Sequence, residues 1–121
     1  MHTLPILDVV FFRTASGNEP VRDWLRGMDL EDRKAIGEDL KLTQFRWPLG
    51  MPLVRKLEPG LWEVRSHLRG SGIARVFFTV QGRDMVLLHG FEKKSQKTPK
   101  EDLKLARSRK RQYEETTDEQ V

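Results

Sequence analysis

Arginines on two neighbouring predicted strands are the side chains best suited to chemistry in this sequence. Arg65 lies near the middle of the predicted strand 61–68, on its polar face. Arg75 lies on the next predicted strand, where antiparallel pairing would bring it close to Arg65. Guanidinium groups bind phosphate through paired hydrogen bonds, and two of them on one face repel unless an anion or an acid joins them. We therefore predict a phosphate site at these arginines, although Glu63 could satisfy both of them instead.

Lysines follow the last predicted strand and lead into a helix. Lys93, Lys94 and Lys97 could contact nucleic-acid phosphates, and a lysine among them, with Lys94 as the first candidate, could serve as a general base. Gln96, in the same segment, could hydrogen-bond a base or a ribose. Four further basic residues recur at helical spacing and form one stripe of phosphate-binding candidates: Lys100, Lys104, Arg107 and Arg111.

Histidines and a tyrosine are the remaining side chains that could move a proton. His67 shares a strand face with Arg65 and could act near neutral pH, but a surface histidine is the simpler interpretation. His89 lies in an apolar strand and is interpreted as a hydrogen-bonded core histidine. Tyr113, the only tyrosine, is interpreted as part of a helix core. The three histidines are scattered and there is no cysteine, so the residues offer no recognisable metal cluster.

Charge is distributed unevenly along the 121 residues. Residues 1–50 carry a balance of −1, residues 51–111 carry fifteen Lys or Arg against six Asp or Glu, and residues 112–121 carry four acids and no base. The central block therefore favours binding to a polyanion. No apolar run approaches the length of a membrane span, and no signal peptide is evident, so we expect a cytoplasmic protein that does not contact membranes.

The hydrophobic pattern predicts an α+β fold. Apolar residues at helical spacing predict a helix containing Val21 and Met28, capped by Asn18 with Pro20 in its first turn, and a second helix from Asp29 to about Trp47. The apolar or alternating segments that predict strands are 5–12, 61–68, 73–80 and 85–91. The three tryptophans fall on apolar faces or at a helix end and are interpreted as core: Trp24, Trp47 and Trp62.

A last helix is predicted from about Pro99 to Tyr113, with a capping box that begins at Thr98. The short turns predict an antiparallel sheet of about four strands, with two N-terminal helices on one face and the C-terminal helix near the other side. We expect a single domain over residues 1–113, followed by an acidic, disordered tail over residues 114–121.

Several segments in a fixed order carry a resemblance to a known family. Segment 61–65 (LWEVR) has the form hydrophobic-x-Glu-hydrophobic-Arg, and segment 73–78 (IARVFF) has an arginine before a bulky apolar pair. Segment 89–99 (HGFEKKSQKTP) is the most specific, and segment 56–60 (KLEPG) leads into the first of these strands. Over about residues 5–112 the chain resembles the HigB-like, phage-associated branch of the RelE/ParE toxin superfamily.

The resemblance implies a RelE-like fold and a toxin that cleaves mRNA in the ribosomal A site. In that reaction the RNA's own 2′-hydroxyl attacks the adjacent phosphate, with no metal and no cofactor. The implied catalytic residues are Arg65, Arg75 and a basic residue before the first meander strand, for which Lys56 is the plausible equivalent and Arg55 its neighbour. The implied partners are the 70S ribosome, mRNA and a HigA-like helix-turn-helix antitoxin, and we expect the toxin alone to be a monomer.

Two other functions remain open at this stage. The superfamily also contains ParE-like inhibitors of DNA gyrase, and a member could have kept the fold as a noncatalytic module that binds nucleic acid or protein. The arginines and the lysines of 93–97 favour the endonuclease, because ParE-like proteins commonly lack a full cationic cleft. Prompt translation arrest, DNA damage or neither effect would distinguish the three functions.

Overall fold

A computed structural model of the chain describes residues 4–93 and 99–119. It is an α+β structure, as predicted from the sequence. In chain order the elements are β1 (Asp8–Phe11), α1 (Pro20–Arg26), α2 (Leu30–Arg46), β2 (Val54–Glu58), β3 (Leu61–His67), β4 (Ile73–Gln81), β5 (Asp84–Lys93) and α3 (Lys100–Glu119).

The sheet has five strands in the order β1-β5-β4-β3-β2, and it is mixed. Strands β2 to β5 form an antiparallel series, whereas β1 pairs with β5 in parallel. The predicted antiparallel series of β3, β4 and β5 is confirmed, but the sheet has a fifth strand and the parallel pairing of β1 corrects the prediction of an all-antiparallel sheet. Strand β2 was missed because its five residues (VRKLE) are mostly polar, and the direction of β1 depends on a partner more than seventy residues away.

Two apolar cores lie on opposite faces of the sheet. The first lies under α1 and α2 and includes Val21, Ile36 and Val64, with all three tryptophans packed against it as predicted. Trp47 packs edge-on against Trp62 with ring centroids 5.0 Å apart. The second core lies under α3, where Phe77 and Ala106 are both fully buried. The C-terminal helix thus covers the face that the N-terminal helices leave free.

The helix ends agree with the sequence patterns only in part. Pro20 begins α1 as predicted, but Glu19 occupies the cap position, and the side-chain Nδ2 of Asn18 instead donates a hydrogen bond to Ser16 Oγ at 3.4 Å. At the other end of the chain, α3 continues to Glu119, six residues beyond its predicted end, so residues 114–119 are helical. The predicted capping residue Thr98 lies outside the described residues.

A glycine in β5 allows α1 to pack directly against the sheet. A Cβ atom at position 90 would lie 2.5 Å from Cε3 and Cζ3 of Trp24, which is far inside van der Waals contact. Gly90 belongs to the HGF segment of the sequence motif, and this close approach gives a physical reason for a glycine there.

We expect Gly90→Ala to lower the free energy of unfolding by about 1–3 kcal/mol, because the added methyl group overpacks the contact with Trp24. Urea denaturation followed by circular dichroism measures this change. Gly37→Ala is the matched control, since a Cβ there has nothing within 4 Å and lies inside α2. It should raise stability by about 0.5–1 kcal/mol, and equal effects of the two substitutions would contradict the packing argument.

Candidate phosphate-binding site

Strands β3 and β4 place the two predicted arginines directly opposite each other. The ladder pairs Arg65 with Arg75, and paired residues of antiparallel strands present their side chains to the same face. Gly70, with φ of +88°, lies in the turn that joins these strands. The prediction that the turn brings these arginines together is confirmed. Their face is the one on which α3 packs, because Phe77, two residues beyond Arg75, belongs to the core beneath that helix.

A buried carboxylate lies between the arginines of this face. Glu63 is fully buried, and Arg75 is only 2% exposed. Glu63 Oε2 lies 3.8 Å from Arg75 Nη1, and Glu63 Oε1 lies 4.0 Å from Nη1 of a third arginine, Arg55 on β2. The alternative that Glu63 serves as the acid between arginines therefore applies to Arg75, which is held beneath the surface by an ion pair. Neither Glu63 oxygen accepts a hydrogen bond from the described side chains or backbone.

Arg65 differs from Arg75 in its access to solvent. Its side chain is partly exposed, although its Nε is buried and forms no hydrogen bond within the described part of the chain. A buried donor without a partner is costly, and a ligand oxygen is one way of satisfying it. Arg65 is thus the arginine of the β3–β4 pair that can reach an anion from solvent.

Arg55 lies at this site, although the sequence interpretation favoured its neighbour Lys56. It pairs with Glu63 in the β2–β3 ladder and shares the face of Arg65, and its side chain is 43% exposed. Lys56, the residue favoured from the sequence, pairs instead with Trp62, whose ring packs in the core on the opposite face. The structure therefore does not bring Lys56 to this site. A prediction of β2 as a strand would have placed Arg55 and Lys56 on opposite faces of the sheet, because neighbours along a strand alternate between faces.

We use the name arginine cluster for Arg55, Arg65 and Arg75 around Glu63. The guanidinium groups of Arg55 and Arg75 lie within 4.0 Å of the Glu63 carboxylate, and Arg65 shares the same sheet face, so the cluster carries three positive charges against one negative charge. The two members that reach solvent, Arg55 and Arg65, lie on adjacent strands. A guanidinium pair of this kind can bind a phosphodiester and stabilise charge that develops on its oxygens.

Helix α3 forms one side of this site. It packs on β4 and β5 and is tied across to β2 by Arg107, whose Nε donates to Glu58 Oε1 at 2.8 Å. That hydrogen bond raises the pKa of Arg107.

The other basic residues of α3 differ in their exposure. Arg109, which points inward, donates to the backbone oxygen of Leu88 at 2.8 Å, and burial lowers its pKa from the ordinary value. All four residues of the predicted basic stripe are exposed: Lys100, Lys104, Arg107 and Arg111.

The proton-moving candidates lie in three different places. His67 is exposed at the end of β3, two residues from Arg65 and on the same face. His89 Nε2 lies 2.5 Å from Asp102 Oδ1 and joins β5 to α3, so His89 is hydrogen-bonded as predicted, but it is part-buried and lies at the edge of the core. Tyr113 donates to Asp84 Oδ2 at 3.3 Å, and burial, followed by that carboxylate, raises its pKa. Asp84 lies about 20 Å along the sheet from Arg75, so Tyr113 is remote from the arginine cluster.

Of the lysine segment 93–97, only Lys93 lies among the described residues. Lys93 is the last residue of β5 and pairs with Ile73, two residues from Arg75, so the backbone leaves the sheet beside the arginine cluster. Lys94, Gln96 and Lys97 lie outside the described residues.

Two further features of the described residues bear on the class of protein. Within residues 4–93 and 99–119, no group of three or more His, Asp or Glu side chains could hold a metal ion. None of the three described helices has the length and apolar character needed to cross a membrane.

The fold and the cluster define a small α+β protein with a cationic site beside its C-terminal helix. A family model described as phage derived protein Gp49-like (DUF891) matches residues 23–111, and the chain belongs to this family. It is a family of the RelE toxin type and is associated with toxin–antitoxin systems, which implies a cognate antitoxin. No curated protein matches the chain.

Proposed function

We propose that this protein is a HigB-like toxin of RelE-like fold that cleaves mRNA on the ribosome in the cytoplasm. The observation that supports this proposal most directly is the position of Arg65. It lies opposite Arg75, is partly exposed, and has a buried Nε that no described residue satisfies. Membership of a toxin-type family is consistent with this assignment.

The cleavage is a transfer within the RNA backbone. The 2′-oxygen loses its proton and bonds to the adjacent phosphorus, the bond to the 5′-oxygen of the next nucleotide breaks, and that oxygen takes up a proton. The products are a 2′,3′-cyclic phosphate and a 5′-hydroxyl. Negative charge accumulates on the phosphorane oxygens, and a guanidinium such as that of Arg65 stabilises it.

Proton transfer requires groups beside the arginines. His67 is exposed on the same face as Arg65, and its imidazole is the proposed general acid or base there. Lys94 follows the strand end that lies next to Arg75, and it remains our candidate for a general base.

Ribosome binding needs a second cationic surface. The exposed stripe on α3 carries a cation about once per helical turn, and the segment Lys93–Lys97 precedes it. We assign contacts with ribosomal RNA or mRNA phosphates to these residues and to Gln96. The cognate antitoxin is proposed to be a HigA-like helix-turn-helix protein.

The test is a primer-extension assay on purified 70S ribosomes programmed with a defined mRNA. We expect the protein to produce a new 5′-hydroxyl end within the A-site codon, and only when ribosomes are present. Cleavage of naked mRNA at the same rate would overturn the ribosome requirement. Failure to cut under either condition would overturn the proposal and direct attention to inhibition of DNA gyrase.

A further inference from the structure

The arginine cluster contains one group that the proposed reaction does not use, and that group is Glu63. Its carboxylate is fully buried, so neither a 2′-hydroxyl nor a leaving oxygen can reach it as the structure stands. Buried carboxylates are retained only where charge or hydrogen bonds compensate their desolvation. The position of Glu63 therefore has to be explained by its neighbours.

Glu63 has cations on both sides, at distances that suit ion pairs and exceed direct hydrogen bonds. Arg75 Nη1 lies at 3.8 Å on the β4 side and Arg55 Nη1 at 4.0 Å on the β2 side. The two partners differ in exposure, because Arg75 is 2% exposed and the Arg55 side chain is 43% exposed. One carboxylate thus acts on a guanidinium inside the protein and on another at its surface.

The strand register sets the other distances in the cluster. Arg55 is directly opposite Glu63, and Arg65 follows Glu63 by two residues on the same strand face. Adjacent strands lie about 4.8 Å apart, and residues two apart on a strand lie about 7 Å apart. The side chains of Arg55 and Arg65 can therefore converge on a single anion above the buried carboxylate.

We propose that Arg55 and Arg65 bind one RNA phosphate together and that Glu63 is a positioning residue that aligns their guanidinium groups. Arg75 neutralises Glu63 from below and does not touch the RNA. The identification of the anion as an RNA phosphate rests on the proposed function, whereas the arrangement of the cluster does not. This inference adds Arg55 to the site and gives Arg75 a supporting role.

The proposal makes a prediction whose sign differs from that of bulk electrostatics. Glu63→Gln removes a negative charge, so long-range attraction alone would make the protein bind RNA more tightly. If Glu63 aligns the arginines, the same change should weaken binding about tenfold, the effect expected when one charge-assisted hydrogen bond from an arginine to the phosphate is lost. Glu63→Asp keeps the charge but withdraws the carboxylate, and it should also weaken binding.

The experiment uses the full chain and a short 2′-O-methyl oligoribonucleotide, which cannot be cleaved because its 2′-oxygen is blocked. Fluorescence anisotropy gives the Kd at several KCl concentrations. Arg55→Gln should reduce the slope of log Kd against log salt by about 0.7, the value for one phosphate contact on single-stranded RNA. Lys41→Gln is the control, since Lys41 is exposed on α2 beyond the opposite face, and it should leave Kd within about twofold.

Thermal melts show whether each variant is folded at the assay temperature. If Glu63→Gln does not fold, Glu63→Asp and Arg55→Gln decide the matter, because the first keeps a buried negative charge to balance Arg75 and the second alters a side chain that is 43% exposed. Unchanged binding by Glu63→Asp, tighter binding by Glu63→Gln or an unchanged salt slope for Arg55→Gln would each overturn the proposal. Wild-type protein that binds as expected but cuts nothing on ribosomes would overturn the proposed function alone.

Discussion

Replacing Arg65 with alanine should lower the rate of ribosome-dependent mRNA cleavage by about 10²–10³-fold. The magnitude is that of removing one preorganised donor from a developing oxyanion. Arg65 is partly exposed, and its buried Nε has no hydrogen-bond partner among the described residues. Removing the side chain therefore breaks no hydrogen bond between that Nε and the described residues. The rate should be measured by primer extension on programmed 70S ribosomes under single-turnover conditions.

Two further substitutions test whether the loss of cleavage is specific to the guanidinium group of Arg65. Arg65→Lys keeps the charge but lacks the forked donors of a guanidinium, so it should recover only part of the activity. Lys41→Ala, on the opposite face of the molecule, should cleave at the wild-type rate. If Arg65→Ala remained folded and cleaved as fast as Lys41→Ala, Arg65 would not be the central cation of the site.

The pairing of Arg65 with Arg75 could be predicted from the sequence because it depends on local rules. Alternation with period two identifies β3, an apolar segment identifies β4, and a turn containing glycines fixes their antiparallel direction. The packing of the tryptophans followed from the same apolar patterns. These predictions needed no knowledge of contacts distant in sequence.

The parts of the site that could not be predicted depend on nonlocal contacts. Arg55 and Lys56 are neighbours of similar charge, and only the register of β2 on β3 decides which of them shares a face with Arg65. The burial of Arg75 likewise depends on Glu63 and on the fold around it. For the same reason the parallel pairing of β1 with β5 could not be read from either strand alone.

The length of α3 was underestimated for a local reason. The acidic composition after Tyr113 predicts disorder, yet glutamate is a good helix former and ion pairs can extend a helix. Lys110 Nζ lies 3.2 Å from Glu114 Oε1, one helical turn further along. The residues after Tyr113 therefore continue the helix as far as Glu119.

Among the side chains of the second core, Phe77 is the one whose truncation should lower the free energy of unfolding most. It is fully buried on β4, and its ring packs edge-on against Phe91 with centroids 5.1 Å apart. It also packs in the same core as Ala106 of α3. Phe77→Ala should lower the free energy of unfolding by about 3–5 kcal/mol, because it removes buried apolar surface and leaves a cavity.

A loss of that size is a large share of the stability of a small domain, which is about 5–15 kcal/mol, so the melting temperature should fall sharply. Urea denaturation measures the change, and Leu105→Ala, an exposed position on α3, should shift stability by less than about 0.5 kcal/mol. Since α3 forms one side of the arginine cluster, Phe77→Ala should also lose mRNA cleavage at temperatures where Leu105→Ala retains it. Equal stability of the two variants would show that α3 does not depend on this core.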